Sequence, residues 1–93
     1  MSEKIRAHVF VSGRVQGVSF RAAARNEAER LGVLGWIRNL PVNQVEIMIE
    51  GKEEQVKKMV DWARKGSIWA KVDDMSVEWG DFKGEFDFFE IRF

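Results

Sequence analysis

The 93-residue chain contains no cysteine, one histidine, one proline and no excess of either charge. Without cysteine, disulfides, thiolate zinc sites and cysteine nucleophiles are all excluded. The single histidine, His8, falls in the middle of an alternating segment, on the face opposite its apolar stripe. It is read as a solvent-facing strand residue rather than a catalytic base. Fifteen basic residues balance fifteen acidic ones, with only a modest basic bias in the first forty positions. A dedicated nucleic-acid binder shows a basic face, so the expectation is one local anion site and no nucleic-acid partner. No apolar run approaches the roughly 18 residues of a membrane helix. The segment Met1–His8 lacks the apolar stretch and cleavage site of a secretory signal. The expectations are therefore no membrane association, a cytoplasmic location and, by default, a monomer.

What is present is the composition of a small globular domain, 45% hydrophobic and 32% charged, with room for one core spanning residues 1–93. Ile5, Ala7, Val9 and Val11 alternate with Arg6, His8, Phe10 and Ser12, the period of a strand with one buried face. After Gly13 and Gly17 the period changes. Phe20, Ala24, Ala28 and Leu31 fall at helical spacing, Ala22–Ala24 favour a helix, and Gly32 supplies a stop. Leu34–Leu40 reads as a second strand. Pro41–Gln44 is a turn, a poorer one than Asn-Gly, and Val45, Ile47 and Ile49 mark a third strand.

Past Gly51, the stripe Val56, Met59, Val60 and Ala63 predicts a second helix. Glu53 and Glu54 at its start and Arg64 and Lys65 at its end complement the helix dipole. Met75, Val77 and Trp79 alternate in a fourth strand, and a last strand lies near Phe88–Phe93. The order β-α-β-β-α-β, with room for one extra strand, predicts an α+β, ferredoxin-like two-layer sandwich. Two helices cover one face of an antiparallel-rich sheet. The first and second strands then run the same way, one strand apart, so their ends meet roughly 10 Å from each other.

Residues 13–21 run from a strand end through a glycine-bearing loop into a helix. Free N–H groups at a helix start, curled into a nest by glycine, form an anion cup, and Arg21 can close it with a planar guanidinium. Turn geometry alone also accounts for two glycines here. The spacing Gly13-x-x-x-Gly17, with no Lys-Ser/Thr pair after it, is not a Walker A loop. Ser19 has no activating neighbour in sequence and is read as a loop hydrogen bonder, as is Gln16. Asp73 and Asp74 point apart on a strand, so they are read as solvated and no metal site is expected. Arg14 and Arg38 are read either as raising the potential of the site or as surface charges. The tryptophans (Trp36, Trp62, Trp69 and Trp79) do not share a face by spacing, and packing is the reading for most of them.

Gly-Arg-Val-Gln-Gly-Val-Ser-Phe-Arg (Gly13–Arg21) followed by Gly-Trp-Ile-Arg-Asn (Gly35–Asn39) resembles the paired signature of the acylphosphatases. The segments Val45–Gly51, Gly66 to Val72 and Phe89–Phe93 fit the same pattern. The turn Pro41–Gln44, where relatives carry Asp-Gly, and the bulky Trp69 depart from it. The resemblance implies a metal- and cofactor-independent hydrolase that cleaves the carboxyl–phosphate bond of acyl phosphates, releasing inorganic phosphate. It further implies that Arg21 binds the phosphate and Asn39 positions the attacking water, with the phosphoryl oxygens held by the loop amides of Val15, Gln16, Gly17, Val18, Ser19 and Phe20. Two other readings stand beside it: a non-catalytic anion- or RNA-binding module on the same scaffold, and a domain of a hydrogenase-maturation protein. Asn39 at a strand end favours the hydrolase, and a stand-alone enzyme is the expectation.

Overall fold

The computed structural model describes residues 3–93. Seven elements follow in the order β1 (Lys4–Arg14), α1 (Phe20–Leu31), β2 (Leu34–Leu40), β3 (Gln44–Lys52), α2 (Glu53–Lys65), β4 (Lys71–Asp81) and β5 (Phe89–Arg92). The strands form one sheet in the order β4-β1-β3-β2-β5. The pairs β1–β3, β1–β4 and β2–β3 are antiparallel, while β5 runs parallel to β2. This is the ferredoxin-like sandwich with the additional strand realised at the far edge. β1 and β2 both oppose β3, so both end at the same end of the sheet.

Register decides which side chains share a face. Ala7 stands opposite Ile49, Val9 opposite Ile47 and Val11 opposite Val45. Across β2–β3, Ile37 faces Ile47 and Asn39 faces Val45. These apolar residues are buried under the helices with Phe20, Ala24, Ala28, Val56, Met59, Val60 and Ala63. Asn39 therefore belongs to the helix-covered face by alternation, at the end where the core stops. α1 spans the stripe expected for it and closes with the Val33 N–H donating to the Ala28 carbonyl at 3.0 Å, a Schellman-type end.

The other face of the sheet is covered by a lattice of charges rather than by helices. Glu46 is buried between His8, whose Nε2 donates to it at 2.6 Å, and Arg38, whose Nε donates at 2.6 Å. His8 is thus half-buried, with its ring hydrogen-bonded to Glu46, a correction to its reading as a simple solvent-facing residue. Arg38 is held by Glu46 and lies 5.4 Å from the Trp36 ring, which places it with this lattice on the face away from Asn39. Trp36 is buried there and Trp62 packs edge-on against Phe20 at 5.3 Å, whereas Trp69 and Trp79 are exposed. Packing accounts for two of the four tryptophans.

Glu50, on the face of β3 opposite Val45, Ile47 and Ile49, is almost fully buried. Its carboxylate accepts from Arg6 Nε at 2.9 Å and from the backbone N–H groups of Lys83, Gly84 and Glu85 at 2.8, 3.1 and 3.3 Å. It pins the segment 82–88 that carries the chain from β4, at one edge of the sheet, to β5 at the other. Among the described residues no helix is long and apolar enough to cross a membrane.

Candidate active site

The segment between β1 and α1 bends because of its backbone. Gly17 has φ 70° and Ser19 φ 60°, both left-handed, on either side of Val18. Left-handed residues set into otherwise right-handed backbone turn successive N–H groups toward one side, the geometry of a nest. Glycine takes this conformation without penalty at position 17. Ala23 is the first residue whose N–H the helix itself takes, donating to the Ser19 carbonyl at 3.0 Å. The N–H groups of Ser19, Phe20, Arg21 and Ala22 are the helix's orphan donors. Ser19 makes no side-chain cap bond, and the first turn of α1 carries no acidic residue. α2 places Glu53 and Glu54 at the same position. The positive end of α2 thus has carboxylates of its own beside it, and that of α1 has none.

A cavity of about 190 Å³ lies against this helix start, and its lining includes Gly17, Ser19, Arg21 and Asn39. The two residues expected to do the chemistry therefore meet at one hollow, brought from α1 and from the end of β2. Val15 and Phe20, both buried, form apolar wall. The Val15 N–H donates to the Gly13 carbonyl at 3.0 Å. Gln16 turns its side chain away from the cavity and toward the β2–β3 hairpin: Nε2 donates to the Leu40 carbonyl at 2.6 Å and to the Gln44 carbonyl at 2.8 Å. Val18 packs on the core, and its carbonyl accepts from Ser67 Oγ at 2.7 Å. The loop is thus held from two sides by side chains of its own and of the α2–β4 connection. Ser19 is exposed, and His8 lies on the opposite face of the sheet, so the histidine cannot serve it as a base.

Arg21 is aimed by β5. Its Nη1 donates to the Arg92 carbonyl at 3.3 Å and its guanidinium carbon sits 4.7 Å from the centre of the Phe93 ring. Ile91 and Phe93 line the same cavity. Sequence reasoning did not place these two at the site. The signal available was strand alternation, which puts residues 89, 91 and 93 on the helix-covered face once β5 is known to lie beside β2. Arg14 is exposed and lines a neighbouring, more polar hollow with Asp73 and Asn43. Asp73 and Asp74 are both exposed, in keeping with their reading as solvated side chains.

The acylphosphatase family model matches residues 7–91 of the chain. An acylphosphatase of Syntrophobacter fumaroxidans is 50% identical over 91 residues, which are 98% of this chain and 94% of the relative. That of Anaeromyxobacter dehalogenans is 50% identical over the full length of both chains. The crystal structure of an acylphosphatase from Bacillus subtilis superposes with a TM-score of 0.91 at 34% identity, covering 96% of this chain and 99% of that one. Sequence, fold and the cavity at the ends of β1 and β2 lead to one assignment: this chain belongs to the acylphosphatase family.

Proposed function

We propose that the 13–21 loop holds the phosphoryl group of an acyl phosphate, that Arg21 balances its charge, and that the Asn39 carboxamide aims the attacking water. One observation carries this reading: Arg21 and Asn39 line a single cavity at a helix start free of acidic residues.

The chemistry needs little more. The leaving group is a carboxylate, weakly basic, so no strong general acid is called for. The water oxygen bonds to phosphorus as the bond from phosphorus to the acyl oxygen breaks, and the electron pair leaves on the carboxylate. Charge in the transition state spreads over the phosphoryl oxygens, so catalysis is positioning plus electrostatic stabilisation. A guanidinium supplies parallel N–H donors in a planar fork that matches two of those oxygens, and the nest amides address the rest. Asn39, exposed at its strand end, accepts a hydrogen bond from the water through its carboxamide oxygen. The water's proton passes to a phosphoryl oxygen of the substrate, which agrees with the absence of a histidine or carboxylate from the cavity lining. The products are a carboxylate and inorganic phosphate.

The test is hydrolysis of benzoyl phosphate by the wild-type chain, with inorganic phosphate as a competitive inhibitor. Turnover with competitive inhibition is the expected outcome. A folded protein that binds phosphate and turns over nothing would be an anion-binding module.

A further inference from the structure

The geometry points to Gln16 as a positioning residue for Asn39, a role that deepens the reading above and rests on it. The β2–β3 hairpin, which carries Asn39 next to its last pair, is closed by an unfavourable turn. Val42 and Asn43 both have left-handed backbone, at φ 62° and 56°. For a β-branched residue such as Val42 that conformation is costly, and Val42 is exposed, so no packing compensates it. Beside the β2–β3 ladder, the phosphate loop braces this turn: the Gly13 N–H donates to the Asn43 carbonyl at 3.2 Å, and Gln16 Nε2 donates to the carbonyls of Leu40 and Gln44.

Leu40 and Gln44 are the last pair of the β2–β3 ladder, and Leu40 directly follows Asn39. Both partners of Gln16 are carbonyl oxygens, so only the NH2 side of its carboxamide fits there. One side chain of the loop that faces the phosphate thus uses both of its N–H bonds to fix the strand end that carries the water-directing amide. The distance between phosphate cup and water is set by this bridge, and the in-line geometry depends on it. A misplacement of about 1 Å costs on the order of 100-fold in rate. The Gly13–Asn43 bond remains when Gln16 is replaced, so the hairpin survives and only its end loosens.

A double-mutant cycle tests the role with four proteins: wild type, Gln16→Ala, Asn39→Ala and the double variant, each checked by circular dichroism and thermal melting. Steady-state hydrolysis of benzoyl phosphate gives kcat and KM, and inhibition by inorganic phosphate reports the cup separately. Gln16→Ala is expected to lower kcat by roughly 10- to 100-fold while KM and the phosphate inhibition constant stay within about threefold. Because Gln16 acts through Asn39, the double variant should be no slower than Asn39→Ala alone, a non-additivity expected of coupled residues. Gln16→Met, which keeps length and packing but donates nothing, should reproduce the kcat loss and serves if the alanine variant does not fold. Losses that multiply in the double variant, an unchanged kcat, or a phosphate inhibition constant that worsens in step with kcat would each overturn the positioning role. An Asn39→Ala protein with full kcat would instead sink the underlying water-directing reading, whatever Gln16 does.

Discussion

Arg21 is committed to its direction before any substrate arrives, because the Arg92 carbonyl takes one of its N–H bonds and its guanidinium carbon sits over the Phe93 ring. A planar group with five donors can keep that tether and still present a pair of N–H bonds to a phosphoryl group. A lysine at the same position offers one compact charge on a flexible stem and has to choose. Arg21→Lys should therefore lower kcat/KM by on the order of 100-fold or more, and weaken inhibition by inorganic phosphate at the same time. Steady-state kinetics on benzoyl phosphate with phosphate titrations read both quantities. Wild-type kcat/KM in the lysine variant would mean that a point charge suffices and that the fork geometry is irrelevant. The contrast with Asn39 is deliberate: loss of the carboxamide should reduce turnover and leave phosphate binding in place.

At the scale of elements, β5 is what separates this molecule from a four-stranded sandwich, and β5 reaches its place only because segment 82–88 crosses from one sheet edge to the other. Glu50 holds that crossing with a single buried carboxylate that gathers three backbone N–H groups and Arg6. A carboxylate suits the task because it is an acceptor at both oxygens. Glu50→Gln keeps the shape and replaces one acceptor with a donor facing N–H groups. The expected cost is about 1–3 kcal/mol for the unmatched buried groups, a drop in melting temperature of roughly 4–24 °C for a domain of this size. Because β5 aims Arg21, the surviving folded enzyme should also show a raised KM, while a variant with unchanged KM would show that the crossing segment and the site are independent. Thermal melts and kinetics on the same preparation separate the two effects.

At the scale of the whole molecule, the balanced charge is arranged rather than scattered, with much of it paired on the uncovered face of the sheet. Burial on that face pushes the Glu46 carboxyl up, but the hydrogen bonds from His8 and Arg38 together outweigh it and hold the group below its ordinary value. A carboxyl lowered in the folded state binds fewer protons there than in the unfolded chain. Its stabilisation is complete above the unfolded value of about 4.5 and is lost as pH falls through the lower folded value. The melting temperature of the wild type should exceed that of Glu46→Gln at pH 5, and the gap should narrow by pH 3. A gap that stays constant over that interval would show that the pairing contributes nothing to acid stability.

The sequence by itself determined the periodic parts. α1 and β2 were legible to their ends, because an apolar stripe at 3.6 or at 2 residues is written in one segment and needs no partner to be seen. The two motifs, Gly13–Arg21 and Gly35–Asn39, stood out through their resemblance to a family signature, since the loop pattern alone also fits plain turn geometry. What only the tertiary structure decided are relations between segments far apart in the chain. Strand pairing placed β5 beside β2 and so brought Ile91 and Phe93 to the cavity, and no local pattern in residues 89–93 names that neighbour. Burial of Glu50 and the hydrogen bond of His8 to Glu46 depend on which side chains stand across the sheet, and a polar residue on the polar side of an alternating strand reads the same whether it faces water or another side chain. Gln16 is the clearest case. Its residue type said only that it could hydrogen-bond, while the fold decided that its partners are two carbonyls of the hairpin next to Asn39. Propensity is a property of short segments; a binding geometry is a property of the distances the fold sets between them.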